Sequence, residues 1–505
     1  MLKPIQLYGE QKKVLFLPPK NPIQIKGVAG SGKTTVALYR AKHLINNFAN
    51  LFEEPFVIIF SYNKSLVKYI KNLLPLVQGG YKDPDSEKGF INKIKNMVST
   101  KEDIKPGLKV NVSTFHSWAF KFMSDHGLKM NGKTVNSSGQ KQIIENIVMD
   151  AQKRIPNEPI LKKKIQFFVE EFSWIKGKML HENQIGYLEA KRIGRGTKDR
   201  VTSHDKEIVF SCFKSYQEYL NHKELYDFDD YALTVLTILD QNSLKNPFTH
   251  IVVDEAQDLT KAQILVLSRI VSDSTKSISF IADAAQRIFK TGFTWTEVGI
   301  SVKGGRTVEL KKNYRNTRQI AAAAGSLLKK ETDKEDFTEV DSIERDGAVM
   351  PILGYFNSYE SEMEYLVEEI NKHSGKSLNM VILHRRKGQL KNLQTFLRKK
   401  QILSEIITDW DFNNFSDSTI KLCTLSSIKG LEFDVVCIVD LNENEIPYPE
   451  GFAEDNDELH ISTERRLLYT AMTRARDKLY LLSHGIPSMF LNELDSSLFE
   501  TVRRN

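Results

Sequence analysis

Two short stretches of this sequence carry residue types that could handle a polyphosphate. Gly27-Val-Ala-Gly-Ser-Gly32-Lys33-Thr34 matches the spacing G-x-x-x-x-G-K-[ST]. Glycines so placed let backbone amides close around phosphate oxygens, and a helix opening at the lysine adds its partial positive charge. Lys33 would neutralise the β- and γ-phosphates, and Thr34 would offer a hydroxyl to Mg²⁺. The candidate nucleotide contacts are therefore Gly27, Ala29, Gly30, Ser31, Gly32, Lys33, Thr34 and the adjoining Thr35. The second stretch, Ile251-Val-Val-Asp254-Glu255-Ala-Gln257-Asp258, is an apolar run ending in adjacent carboxylates. One carboxylate at a strand end can hold Mg²⁺ beside Thr34, and its neighbour can orient and deprotonate an attacking water. Asp254 takes the metal role and Glu255 the role of base. Alone, such an acidic pair is most often a loop or a helix cap; coupled to the phosphate loop it implies nucleotide hydrolysis.

Both stretches need strand ends to hold them. Short β-rich runs at 22–26, 56–60, 250–253, 277–281, 379–383, 420–424, 435–440 and 478–482 alternate with helical patterns, the signature of parallel α/β domains. Several run straight into small or polar clusters, which a doubly wound sheet gathers at the carboxyl ends of its strands. There are too many strands for one sheet, so two sheet domains are expected. Strand signals vanish between about Ser117 and Tyr226, where helical periodicity takes over. The expected division is a first α/β domain from 1–116 and 227–305, a helical insertion at 117–226, and a second α/β domain at 306–505. Residues 329–346, charged and weakly patterned, read as an exposed connection.

Composition narrows the class. The 505 residues carry 71 Lys plus Arg against 64 Asp plus Glu, a mild excess that permits a polyanionic partner without establishing one. Cys212, Cys423 and Cys437 fit no metal spacing and no disulfide framework, so buried thiols in a reducing cytoplasm are expected. No apolar run approaches the roughly 20 residues of a membrane span.

The order of motifs resembles the UvrD/Rep-like superfamily 1 DNA helicases, whose nucleotide-binding domains are RecA-like, and the likeness runs from Gln11 to the C-terminus. Glu10-Gln11 is similar to the motif that reads adenine, and Arg40 stands where that family has an arginine beside the base. Asp254–Asp258 is near the family's acidic motif. In Asp283-Ala-Ala-Gln286-Arg-Ile-Phe289, Gln286 corresponds to the sensor of the γ-phosphate. In Asn313-Tyr314-Arg315-Asn316 the resemblance implies stacking of Tyr314 on adenine and contact of Arg315 with the γ-phosphate. Lys429-Gly430-Leu431-Glu432-Phe433 places Glu432 near the ribose, and Thr473-Arg474-Ala475 makes Arg474 a second arginine finger. Both arginines lie beyond the first sheet domain, so ATP, with Mg²⁺, would be a clamp between two lobes whose release moves them.

For nucleic acid, Tyr62-Asn63-Lys64 and Thr114-Phe115-His116-Ser117 resemble elements that touch single-stranded DNA. Phe289, Phe293 and Trp295 lie where the family carries a base-stacking ring. Lys176, Lys178, Arg192, Arg195, Lys198 and Arg200 could line a backbone-binding face on the helical insertion. Two departures stand out. Ser426 occupies a position that is commonly histidine. Only about 35 residues separate the strand ending near His384 from that opening at Ile420, where relatives hold an accessory domain, so residues 385–419 should retain at most a helix pair. The expectation is a translocase or helicase on single-stranded DNA or tailed duplex, moving 3′-to-5′. The alternative is a DNA-gated ATPase switch controlling a partner such as a nuclease.

Overall fold

The computed structural model describes residues 5–48, 55–74, 77, 109–190, 201–241, 248–283, 295–302, 304–331, 340–347, 349–373, 378–409, 412, 415, 419–443, 445–448 and 458–504. Among these, the first sheet has six strands: β1 (Ile23–Gly27), β2 (Phe56–Ser61), β3 (Lys109–Thr114), β4 (His250–Val253), β5 (Ser277–Ala282) and β6 (Thr307–Leu310). They are ordered β3-β2-β4-β5-β1-β6, and every pairing is parallel. Central strands such as β2 and β4 are apolar almost throughout because helices cover both faces. With β4, β5 and β1 side by side, the phosphate loop after β1, Asp254 after β4 and Asp283 after β5 emerge at one edge.

A small parallel pair, β7 (Lys312–Asn313) and β8 (Ser342–Ile343), leads into the second sheet. That sheet comprises β9 (Ile352–Phe356), β10 (Met380–His384), β11 (Ser404–Ile406), β12 (Ile420–Thr424), β13 (Phe433–Ile438), β14 (Ala475–His484) and β15 (Glu500–Arg504). Its order is β11-β12-β10-β13-β14-β9-β15, again all parallel. The fold is thus two RecA-like parallel-sheet α/β units. Between β3 and β4 the named elements are helices, including Ser137–Arg154, Ile165–Gly177 and Ser203–His222 around an aromatic core of Phe168, Phe172, Phe213 and Tyr216.

Among the described residues, the 385–419 interval holds the helix Lys387–Lys399 and the edge strand β11. Two expectations need correction. The 329–346 stretch is no plain exposed connection. Glu331 is buried beside Arg465 and Arg466, and Ser462 donates to it at 2.8 Å; β8 then adds to the ladder. Lys176 is not a surface cation: it is fully buried, 2.8 Å from Asp227 and 2.7 Å from Asp230. Lys178 is spent on Glu297 at 3.0 Å, and the other four basic candidates of that face, within 191–200, lie outside the described residues.

Lys176 therefore fastens the helix Ile165–Gly177 to the helix Asp230–Gln241, which packs on the first sheet. Breaking a buried pair leaves unneutralised charge and costs about 3–5 kcal/mol. Lys176→Met should lose about that much in urea unfolding. A loss below about 1 kcal/mol would show that the acids find another partner.

Candidate functional site

The phosphate loop is held from three sides. Gly30 and Gly32 take φ of 77° and 78°, the left-handed region that suits glycine. A Cβ on Gly30 would sit 2.0 Å from Asn313 Oδ1. Tyr314 N–H donates to the Gly30 carbonyl at 2.9 Å, so the loop docks directly on the Asn313–Asn316 motif. The Gln11 amide donates to the Ser31 carbonyl at 2.8 Å and accepts from Tyr8 N–H at 2.8 Å. Lys33 Nζ folds onto the carbonyls of Gly27 and Val28, at 3.1 and 3.0 Å, and meets Asp283 at 2.9 Å.

Asp254 and Glu255 follow β4. Thr34 donates its hydroxyl hydrogen to Asp254 at 2.8 Å. Burial and the neighbouring Glu255 push the Asp254 carboxyl up to about 7. Glu255 sits at φ 62°, left-handed, which turns its side chain away from that of Asp254. Burial acts to raise Glu255 too, but the charges of Lys429, Lys33 and Arg474 outweigh it and hold the group at about 2. Gln257 donates to Glu255 at 2.6 Å, and its carbonyl oxygen accepts from Asp283 N–H at 3.1 Å. One amide thus ties Glu255 to Asp283, the partner of Lys33.

The second unit supplies the cations. Lys429, fully buried, lies 3.4 Å from Glu255 and pairs with Asp258, while its ammonium stands 5.3 Å from the Tyr62 ring centre. Arg315 pairs with Glu432 and donates to the Thr473 carbonyl at 3.4 Å. Asn316 donates to the carbonyls of Thr473 (3.0 Å) and Ala475 (2.5 Å), so the two arginine motifs are tied together. Arg474 is buried, donates to the Thr470 carbonyl at 2.9 Å, and is lowered to about 10 by burial and by Arg315. A cavity of about 570 Å³ between the units is lined by Gln11, Thr35, Tyr314, Arg315 and Glu432, with Tyr8 beside them. The Tyr8 and Tyr314 ring centres stand 6.4 Å apart on its wall.

Not every expected residue lies there. Arg40 does not face this cavity: it is fully buried, and its guanidinium donates to the carbonyls of Val14, Leu17 and Pro18 at 3.3, 2.8 and 2.5 Å. Those oxygens lie at the end of the turn Gly9–Phe16 and just after it, so Arg40 anchors the segment that follows Gln11. Phe115 is not a surface platform either. It packs under the sheet, 6.2 Å from Phe60 and 6.0 Å from Trp118. Thr114 caps the helix Phe115–Asp125, accepting from Ser117 N–H at 3.1 Å. His116 lies between Phe228 and Tyr231, and burial lowers it to about 4, so it is neutral. Asn63 caps the helix Lys64–Leu73 and reaches the Ser427 carbonyl at 3.4 Å, while Lys64 is exposed. Ser426 shares its hydroxyl with Thr424 at 3.1 Å. Gln286, Phe289 and Phe293 fall outside the described residues, and of Trp295 only the backbone, in a short 3-10 turn, is described. The sequence alone assigns Lys429 no role. Its signal is a lysine directly before the glycine of the motif, but its acidic partners lie far away in the chain.

The residues fit a nucleotide and a hard cation. Thr34 and Asp254 offer oxygen donors, and the buried Ser31 hydroxyl and Arg315 Nε have no hydrogen-bond partner among the described residues. Gly30→Ala would push Asn313 away from the loop and disturb its acceptance of the Arg315 and Asn316 N–H groups, both at 3.0 Å. Affinity for a fluorescent ATP analogue should fall by about tenfold or more, about 1.4 kcal/mol. Unchanged binding would show that the loop and the arginine motif are independent.

Among the described residues no helix is long and apolar enough to cross a membrane. The UvrD/REP helicase N-terminal domain family matches residues 7–294, and the UvrD-like helicase C-terminal domain family matches 308–416 and 403–485. The ATP-dependent DNA helicase PcrA of Staphylococcus epidermidis is 23% identical over 411 residues, covering 76% of this chain and 48% of its own. PcrA of Staphylococcus aureus is 22% identical over 405 residues, covering 75% and 48%. The chain thus spans about half the length of the curated relatives it matches. A solved C-terminal domain of a possible DNA helicase from Lactobacillus covers 37% of this chain and 98% of its own, at 19% identity and a TM-score of 0.29. With both halves of the family pattern matched in order across most of its length, the chain belongs to the UvrD/REP helicase family.

Proposed function

We propose that this protein is an ATP-hydrolysing motor on DNA, with residues 1–116 and 227–305 as one lobe, 117–226 inserted in it, and 306–505 as the other. The observation that carries the reading is that Lys429 and Arg474 of the second unit meet Glu255 beside Lys33, while Arg315 lines one cavity with the phosphate loop. A phosphoryl group in transfer needs positive charge on its equatorial oxygens and a base behind the attacking water. Lys33 and the loop amides would grip the phosphates; Thr34 and Asp254 would hold Mg²⁺, which neutralises the developing charge. Glu255 would take the water's proton, while Arg315 and Arg474 stabilise the γ-phosphate and Gln286 senses it. Gln11, Tyr314 and Glu432 would border adenine and ribose. Because the cations come from the other lobe, occupancy of the cleft draws the lobes together and hydrolysis releases them.

The matched relatives are named ATP-dependent DNA helicases, which supports DNA as the track and, by family likeness, 3′-to-5′ movement. Tyr62, Asn63, Lys64, Thr114 and His116 sit at or beside the carboxyl ends of β2 and β3, where a single strand would cross. The tie from Asn63 to Ser427 spans both lobes and gives the strand a route to the ATP cleft.

A second reading is favoured by one feature. Among the described residues between β10 and β12 stand one helix and one edge strand, too little for an accessory domain. A core of this kind would suit a DNA-gated ATPase that controls a partner such as a nuclease in preference to processive unwinding.

ATP turnover with and without single-stranded DNA tests the first step. Turnover should rise at least about tenfold with DNA and fall by about 10³-fold or more in Glu255→Gln. Equal rates with and without DNA or RNA would sink the coupling. Strand displacement on a 3′-tailed duplex then separates the readings: unwinding by the protein alone supports the motor, and stimulated turnover with no unwinding supports the switch.

A further inference from the structure

The charge of this chain is unevenly placed. Residues 385–403 hold seven Lys and Arg and no Asp or Glu, which leaves 64 basic against 64 acidic residues in the rest of the sequence. The whole formal excess of +7 therefore resides in that one segment. Two of its cations are internal: Arg385 pairs with Glu464 at 2.7 Å and Arg386 with Glu445 at 2.8 Å. The other five, Lys387, Lys391, Arg398, Lys399 and Lys400, are exposed, and none pairs with a carboxylate among the described residues.

Their arrangement is set by the helix Lys387–Lys399. Leu390, Leu393 and Leu397 are buried and fix which face meets the sheet. Lys387, Lys391 and Arg398 then fall at i, i+4 and i+11, one stripe along the solvent face. At 1.5 Å per residue the stripe is roughly 16 Å long, with Lys399 and Lys400 widening its far end. The helix opens just past the carboxyl end of β10, beside β12, whose own carboxyl end leads into the Ser427 loop reached by Asn63. It sits in the 385–419 interval, on the flank of the second sheet.

We propose that this stripe is a docking surface for the phosphate backbone of duplex DNA, engaged alongside the single strand in the cleft. It rests on the reading of the protein as a DNA-stimulated ATPase. The occupant is argued from chemistry. Single strands are gripped by stacking on rings as well as by cations. The exposed positions between these cations are Gly388, Asn392 and Thr395, and the nearby Phe396 ring is half-buried with Lys400 at 5.9 Å from its centre. A row of cations without an exposed ring suits a duplex, which presents a charge per roughly 1.7 Å of axis and needs no stacking. A solvated helix face that serves only solubility would more commonly mix both signs; here the acids are missing.

The test uses the full chain and the variant Lys387→Gln/Lys391→Gln/Arg398→Gln, whose sites are exposed and outside the ATP cleft. Binding of a 3′-tailed duplex and of a single strand of equal length is measured across salt, with ATP turnover on the single strand. The variant should bind tailed duplex about tenfold more weakly, and its slope of log affinity against log salt should be shallower by roughly 2–3, about 0.9 for each phosphate no longer neutralised. Single-strand-stimulated turnover and single-strand affinity should stay within about twofold of the parent. Equal duplex affinity and slope in variant and parent would overturn the proposal. So would a parallel loss on single strand and duplex, which would assign the stripe to single-strand binding. If single strand fails to stimulate the parent at all, the ATPase reading itself fails, and the inference falls with it.

Discussion

Burying ions is the constraint on which this molecule turns. The cleft between the two sheets holds Lys33, Arg315, Lys429 and Arg474 with Asp254, Glu255, Asp258, Asp283 and Glu432, nearly all removed from water. An isolated buried charge costs several kcal/mol, so such groups meet an opposite one at close range or, like Asp254, shift toward the neutral form. The first sheet does not reach that balance by itself: Lys33 serves Asp283, while Glu255 and Asp258 share Lys429 of the second unit. Lys429 and the arginines complete the balance when the second sheet is drawn up. The lobes are held by their own electrostatics in an arrangement that a bound polyphosphate would have to re-partition.

The scaffold serves that balance through strand order. Three neighbouring strands of the first sheet end in the phosphate loop, the acidic pair and Asp283, and no helix has to be deformed to bring them together. The second sheet contributes through the Lys429 loop after β12 and through Arg474, just before β14. Asn316 binds the backbone on both sides of Arg474, and Asn313 accepts the Arg315 N–H while its side chain abuts Gly30. Displacement of the phosphate loop is thereby felt at both arginines through two asparagine side chains. The coupling is short, buried and polar, and it leaves little slack.

Much of this was legible in the sequence, and the residues show why. The phosphate loop and the 254–258 motif are local: spacing within eight or fewer residues specifies strand, turn and chemistry. Buried strands such as β2 and β4 announce themselves by nearly continuous apolar runs, whereas β6 and β15 alternate or lie mostly exposed and carry little apolar signal. What stayed hidden depends on partners distant in the chain. Lys176 reads as a surface cation until Asp227 and Asp230 are seen around it. Arg40 reads as a ligand residue until three carbonyls, of Val14 and of Leu17 and Pro18 just after the Gly9–Phe16 turn, are found on its guanidinium. Burial, unlike helix period, cannot be read from a charged residue's own neighbours.

The disposition of Lys33 sets the order of events at this cleft. Its ammonium is engaged by two loop carbonyls and by Asp283, a full complement for three N–H donors. A phosphate can recruit Lys33 only by displacing such partners, and Asp283, the charged one, then loses its cation. Gln257 joins the Asp283 backbone to Glu255. On the proposed reading, nucleotide arrival would perturb Glu255 through this one exchange of ion-pair partners. Its driving force is that a polyphosphate carries more charge than the carboxylate it replaces, and in a dry cleft that difference is amplified. On the proposed reading, the response of Glu255 to the nucleotide would thus follow from a single competition for Lys33.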